Sequence, residues 1–208
     1  MQITVFGSNG KVGRLVTSLL LDSGHSVKAF VHNNSSLTDN KNLTLHKGDI
    51  YSSDDVLNAV KGSDAVISCL SSWHSPNKDI LSSAMKNLIP AMKSSSVNRV
   101  ITLTGSGAFY QKDKPNLFDK SQHSLMMALA KKVLADAEDH INLLETSSLD
   151  WTVLRSPVMT ELGSADFKLQ DGFPAPWATI HRHAVAKSLV ELACSNDHIR
   201  KAPVITRS

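Results

Sequence analysis

Short apolar runs alternate with stretches of helical periodicity along the whole chain. Gln2–Phe6, Ser26–Val31, Leu43–His46, Ala65–Cys69, Arg99–Leu103, Trp151–Leu154 and Pro203–Thr206 read as strands. Several are apolar at consecutive positions, as expected for parallel strands covered on both faces. Between them, Val12, Leu15, Val16, Leu19 and Leu20 recur at helical spacing, and Gly24 follows as a stop signal. Ser53-Asp54-Asp55 offers cap chemistry for a helix whose apolar side is Val56, Leu57 and Val60. The stretch Ile80–Met92 is helical in pattern, and Pro90 within it predicts a kink or a new turn, because proline cannot donate to the carbonyl of Lys86. His123–Thr146 and His181–Cys194 complete the helices. No repeat, low-complexity tract or linker interrupts the alternation. It predicts right-handed βαβ crossovers and one α/β domain over 1–208: a doubly wound parallel sheet (a Rossmann fold) with helices on both faces. Ligands of such sheets bind beyond the carboxyl ends of the strands, so functional residues are expected just after strands.

Bulk properties narrow the partners. A length of 208 residues suits one such domain, and 41% hydrophobic with 20% charged residues is ordinary for a globular chain. The net charge of +3 comes from scattered lysines and arginines, so no nucleic-acid partner is expected. Cys69 lies in an apolar run and Cys194 ends a helical pattern, with no CxxC spacing; both read as free thiols in a reducing compartment. No apolar stretch approaches the ~20 residues that span a bilayer, and no basic and apolar leader precedes the first strand. A cytoplasmic protein without a membrane partner is expected.

The most specific local feature is Gly7-Ser8-Asn9-Gly10-Lys11-Val12-Gly13, placed between a strand and an amphipathic helix with a second strand beginning near residue 26. Gly7 serves a sharp turn, Gly10 lets backbone approach a pyrophosphate, and Gly13 allows close helix–sheet packing, while free N–H groups at the helix start bind phosphate. This context is the one that supports a dinucleotide-binding reading of a glycine loop. With its GxxGxxG spacing, Val5–Gly13 resembles the opening of the atypical and extended short-chain dehydrogenase/reductase superfamily. Within it the chain is most similar to small NAD(P)H-binding proteins grouped with NmrA-like regulators and biliverdin/flavin reductases. Gly48-Asp49-Ile50, Asp64–Ile67, Val97–Ile101 and Ser148–Pro157 continue the resemblance, the last with Ser156 inserted before the proline of an LDWT(I/V)(L/V)RP pattern. The resemblance implies that Asp49 and Ile50 meet the adenine, that Cys69, Leu70 and Ser71 border the ribose and nicotinamide, and that Pro157 lies near the cofactor. For Cys69 a packing role competes with cofactor contact.

At the end of the second strand, Val31-His32-Asn33-Asn34-Ser35-Ser36 contains no carboxylate to accept from a ribose 2′-hydroxyl. His32 and Asn33, with Asn34 and Ser35, offer donors to a 2′-phosphate, so NADP(H) is favoured over NAD(H). Family members often carry Arg at the position of His32, and this sequence departs from that.

Short-chain dehydrogenases use Ser and a Tyr-x-x-x-Lys pair on the helix after the fifth strand, the lysine lowering the tyrosine pKa. Tyr110-Gln111-Lys112-Asp113-Lys114 matches the letters but falls in a loop, read as a mobile surface segment. Thr104 and Ser106 end the fifth strand, where an acceptor would sit. Ser106 is a candidate catalytic residue, and His140, near where related reductases place histidine or polar groups, is a candidate proton donor; a helix-surface or capping role is its alternative. His181-x-His183 lacks a third ligand at metal-like spacing, so no metal is expected.

Two readings remain. The first is an oxidoreductase passing hydride to a flat conjugated small-molecule acceptor, a flavin or quinone. Its pocket would be drawn from 71–75, 106–110 and a substrate-side segment at about 157–180, where Trp73, Phe109 and Trp177 offer stacking surfaces. The second is a non-catalytic NmrA-like redox sensor acting on a protein partner. A sugar-nucleotide epimerase is weaker, because the additional C-terminal domain of those enzymes is lacking. Either a monomer or a homodimer is compatible with the sequence.

Overall fold

A computed structural model describes all residues except Asn34, Ser36 and His74. The element order is β1 (Gln2–Phe6), α1 (Lys11–Asp22), β2 (Ser26–Val31), β3 (Leu43–Lys47), α2 (Ser53–Val60), β4 (Ala65–Ser68), α3 (Ile80–Ser94) and β5 (Arg99–Gly105). There follow α4 (Leu117–Glu145), β6 (Asp150–Ser156), β7 (Val158–Thr160), β8 (Phe167–Gln170), β9 (Thr179–His181), α5 (Arg182–Ala193) and β10 (Val204–Arg207).

The main sheet has eight strands in the order β3-β2-β1-β4-β5-β6-β10-β8. All neighbours are parallel except β8, which pairs antiparallel with β10 through Ile205↔Leu169 and Thr206↔Lys168. β7 and β9 form a separate parallel pair. The parallel Rossmann sheet matches the sequence reading; the antiparallel edge and the small ribbon, both within the 157–180 segment, are additions to it.

Each face of the sheet carries its own core. On one side Phe6, Val66, Val100, Trp151 and Val153 pack against α2, α3 and α4; on the other Ile3, Val5, Ile67, Ile101 and Leu154 pack against α1 and α5. Alternation along strands buried on both faces therefore divides one set of apolar runs into two cores. β4 is buried at all four positions, whereas the edge strand β3 is largely exposed.

Two helices depart from the sequence reading. α3 runs through Pro90 as one helix, with the ring on its exposed side. α4 begins earlier than expected, at a capping box in which Asn116 and Asp119 exchange bonds, and is broken at Ala130 (φ −139°, ψ 38°). Its first half, Leu117–Leu129, consequently takes its own direction over the β5–α4 loop, where Met126 lies against Gly107.

Candidate functional site

The chain leaves β1 toward β2 on one side and returns from β4 on the other, so the strand order reverses between β1 and β4. Gly7 sits at this switch point. Its φ of +74° is a left-handed conformation, and a Cβ there would lie 2.8 Å from the backbone carbon of Cys69. A Cβ on Gly13 would fall 2.1 Å from the Gly7 carbonyl oxygen, so α1 and the loop touch backbone to backbone. Gly10 differs: a Cβ would meet only the Gly7 oxygen, at 3.2 Å. Gly10 is the N-cap of α1, and no side chain caps the helix among the described residues. A helix start bare of side-chain caps and reached over an open glycine fits a dinucleotide pyrophosphate, because its first N–H groups have no intrahelical acceptor.

Other parts of the loop fasten it to its neighbours. The Ser8 hydroxyl, fully buried, donates to the Phe30 carbonyl at 3.0 Å, joining the loop to β2. Ser35 donates to Asn9 Oδ1 at 3.0 Å, tying the segment after β2 to the glycine loop. Lys11 is exposed in the first turn of α1, whereas Val12 packs into the core. His32 and Asn33 are exposed just past β2; Asn34, a further phosphate donor in the sequence reading, lies outside the described residues.

After β3, Asp49 is half-buried and accepts from Tyr51 N at 3.0 Å, and Ile50 is buried with its carbonyl held by Asn87 at 2.8 Å. Cys69 continues the β1–β4 ladder through a bond to the Phe6 carbonyl at 2.9 Å. Burial pushes its thiol up to about 12, which fits packing. Leu70 is half-buried and Ser71 exposed. Thr104 is buried at the end of β5; the Ser106 N–H donates to the Ser156 carbonyl at 2.8 Å, and Pro157 is buried beside it. All of these positions follow the carboxyl ends of β1 to β6, on one edge of the sheet.

A family model described as NAD(P)H-binding matches residues 7–196. The chain belongs to this NAD(P)H-binding family. Among solved structures, a Streptococcus pneumoniae TIGR4 protein assigned as an NADH-flavin reductase is 20% identical, each chain covering 100% of the other, with a TM-score of 0.80. An anaerobilin reductase from Escherichia coli O157:H7 is 17% identical over 100% of this chain and 97% of its own, with a TM-score of 0.80. A Bacillus halodurans protein assigned as an NAD-dependent epimerase/dehydratase is 22% identical over 100% and 94%, with a TM-score of 0.79. At these identities the likeness establishes the fold.

Within this NAD(P)H-binding protein, His140 is not at the strand ends. It is fully buried between α4 and β5, with Nε2 2.7 Å from Thr102 Oγ1 and Nδ1 3.3 Å from the Ala137 carbonyl. Burial pushes its pKa down to about 4, against weaker opposing effects of the Ala137 carbonyl and Asp136. A neutral, enclosed imidazole has no path to a ligand, which corrects both the proton-donor reading and the helix-surface alternative. Ser106, by contrast, is half-buried at the strand end where the sequence puts it.

The Tyr110–Lys114 segment is a loop, as read, but it is anchored. The Tyr110 hydroxyl donates to the Arg200 carbonyl at 3.1 Å, and its ring meets Trp151 edge-on at 6.0 Å. Asp113 pairs with Arg155 at 2.5 and 2.8 Å, with side-chain exposures of 4% and 1%. Arg155 also donates to the carbonyls of Ala108, Ala202 and Gly172 and lies over the Phe173 ring. One guanidinium thus fixes the β5–α4 loop, the segment before β10 and the β8–β9 loop.

Asp136 does the same for the loop after β4. Its carboxylate accepts from Ser72 Oγ (2.5 Å), Ser82 Oγ (2.6 Å) and the N–H groups of Leu81 (3.0 Å) and Ser82 (2.8 Å). It caps α3 from across the structure, where the side chain of the local N-cap Asp79 accepts from Ser83 Oγ and caps no backbone N–H. The His181–His183 pair is also a cap: His181 Nδ1 accepts from the His183 N–H at 3.2 Å. Among the described residues no group of His, Cys, Asp and Glu is arranged to hold a metal ion. No helix among them is long and apolar enough to cross a membrane.

Proposed function

We propose that this chain is a cytoplasmic, single-domain NAD(P)H-dependent reductase that passes hydride to a flat conjugated acceptor such as a flavin or quinone. The observation that carries the reading is the convergence of Gly7–Gly13, Asp49–Ile50, Cys69–Ser71, Thr104–Ser106 and Pro157 on one sheet edge around the β1/β4 switch point. Gly10 and the N–H groups of Lys11, Val12 and Gly13 would take the pyrophosphate, Ile50 would flank the adenine, and Thr104 and Ser106 would face the acceptor. The bound nucleotide supplies the hydride; the protein aligns donor and acceptor and excludes water.

Large apolar side chains left exposed support an aromatic or quinonoid acceptor. Trp73 is 53% exposed, Val158 70%, Leu162 78% and Trp177 80%, and all four belong to the segments after β4 and β6. The names of the flavin and anaerobilin reductases with the same fold point to the same acceptor class. NADP(H) is preferred in this reading, because His32 and Asn33 present donors and no carboxylate at the end of β2.

A sensor reading has one observation in its favour. Tyr110, the only tyrosine of the letters Tyr-x-x-x-Lys, is engaged with Arg200 before α4 begins, and α4 itself carries none. The two readings separate in one experiment: purified protein with NADPH or NADH and a panel of flavins, quinones and linear tetrapyrroles, followed at the nicotinamide absorbance. Turnover supports the reductase. Tight nucleotide binding with no turnover on any acceptor refutes it in favour of the sensor.

A further inference from the structure

Beside the β5–α4 loop, His123 and Glu138 form a pair that no motif pointed to. They lie on α4 on opposite sides of the break at Ala130, and His123 Nε2 is 2.7 Å from Glu138 Oε1. The same carboxylate oxygen accepts from the Phe109 N–H at 2.9 Å, which fixes it to the loop that leaves β5. The Phe109 ring covers the imidazole at 3.9 Å between centroids, and Phe109 in turn meets Phe173 at 5.0 Å. Phe173 belongs to the segment between β8 and β9, which also carries Trp177 of the acceptor site proposed above.

The arrangement is that of an oriented base. A carboxylate held by a backbone donor engages one ring nitrogen, which sets the tautomer and aims the other nitrogen outward. His123 Nδ1 has no partner among the described residues and is not among the buried unsatisfied atoms, so it meets solvent; the side chains of His123 and Glu138 are 19% and 23% exposed. A pair needed only to fasten the first half of α4 does not require an open nitrogen beside the Phe109 ring. The break at Ala130 brings the histidine back toward the loop, where a continuous helix would carry it away.

We propose that His123 is the proton donor of the reductase, with Glu138 its positioning residue, and that the acceptor is a conjugated carbonyl compound of the quinone type. The proposal rests on the reductase reading. In the step, two electrons and a hydrogen nucleus pass as hydride from the reduced nicotinamide to the acceptor, which gains negative charge on its oxygen. The Nδ1–H bond of the His123 imidazolium breaks and an O–H bond forms on that oxygen. The nucleotide is oxidised by two electrons and the acceptor reduced by two. The neutral imidazole keeps its Nε2 proton on Glu138 and regains the other from water.

The test compares His123→Gln, His123→Ala and Glu138→Gln with the unaltered protein. With a quinone, His123→Gln should lose about 100-fold in kcat, within the range for removing a general acid, with unchanged nucleotide Kd. Glu138→Gln should lose a smaller factor, and added imidazole should restore turnover to His123→Ala. Independently of activity, nitrogen-15 NMR should find the neutral His123 ring as a single Nε2–H tautomer, and Glu138→Gln should mix its tautomers. Turnover by His123→Gln equal to the unaltered protein overturns the assignment and leaves the reductase standing. Loss in His123→Ala that imidazole does not restore, or a tautomer indifferent to Glu138→Gln, also overturns it. An unaltered protein that binds nucleotide but reduces nothing refutes the reductase reading, and the proton-donor role falls with it.

Discussion

The three glycines of the first loop should respond differently to the same added methyl group, and Gly13 and Gly10 give the sharpest contrast. Gly13 lies in α1, where alanine ordinarily gains about 1 kcal/mol over glycine. Here the new Cβ would lie 2.1 Å from the Gly7 oxygen and 2.8 Å from both the Gly7 carbon and Ser8 Cα, all backbone atoms without a rotamer to escape into. Overpacking costs about 1–3 kcal/mol, and three backbone contacts this short argue for the upper end. Set against the helical gain, Gly13→Ala should destabilise by about 2 kcal/mol, which in a chain of this size lowers Tm by roughly 4–8 °C. Gly10→Ala meets one atom at 3.2 Å, with φ −70° and ψ 163° open to any residue. A lost N-cap preference and a gain in unfolded-state entropy are both below about 1 kcal/mol and oppose each other, so Tm should hardly move. The methyl would instead stand in the path of the pyrophosphate, weakening NADPH binding at least ~10-fold, or about 1.4 kcal/mol. Scanning calorimetry and titration calorimetry with NADPH and NADH measure both effects. An unshifted Tm for Gly13→Ala would refute the close-packing argument. Undiminished binding by a folded Gly10→Ala would refute the phosphate site.

Three further outcomes follow from buried groups. Asp113→Asn should lower stability by about 3–5 kcal/mol, since it leaves the Arg155 charge enclosed; Arg155→Met with Asp113→Leu should recover much of that loss in urea denaturation, and equal losses would count against a buried ion pair. His140 is depressed to about 4 from 6.5, so the unfolded chain binds its proton first as pH falls. Its contribution is complete above pH ~6.5 and is lost toward pH ~4, by roughly 3 kcal/mol, and His140→Gln should flatten the urea midpoint over that window; an unchanged slope would refute the neutral buried state. Of the two thiols, Cys194 is exposed and Cys69 buried with its thiol pushed up to about 12. Burial also raises the Cys194 thiol, so access decides: an aromatic disulfide reagent should label one thiol in the folded protein and two only after denaturation.

The parts of the fold that were legible in the sequence are those made by neighbours in the chain. Strands β1, β2, β4 and β5 appear as apolar runs because both faces are covered, and the glycine loop appears because turn, cap and close approach are local backbone demands. β8 was not legible: Phe167–Gln170 is a four-residue edge between Gly163 and Gly172, too short to establish a period. His140 carries a signal in the periodicity of its helix. The buried stripe Leu134, Ala137, Ile141, Leu144 on α4 has position 140 on the same face, so the periodicity itself puts that histidine inside. The Ala130 break leaves no mark in the sequence, since alanine is the best helix former and the contacts of the first half, such as Met126 with Gly107, are not local ones.

The division between what was legible and what was not follows the division of the site. The proposed cofactor half is built from backbone: the left-handed Gly7, the bare start of α1 and the ends of successive parallel strands. Such features survive wide replacement of side chains, which accounts for TM-scores near 0.80 at 17–22% identity. The proposed acceptor half is held by side chains reaching across the chain: Arg155 to Asp113 over 42 residues, Asp136 to Ser72 over 64, Glu138 to the Phe109 N–H over 29. No local pattern encodes pairs so separated, and each can change without disturbing the strand order. Differences in acceptor among proteins of this fold should therefore be sought at the positions of Asp113, His123, Asp136, Glu138 and Arg155, because these set the loops against which the proposed acceptor would lie.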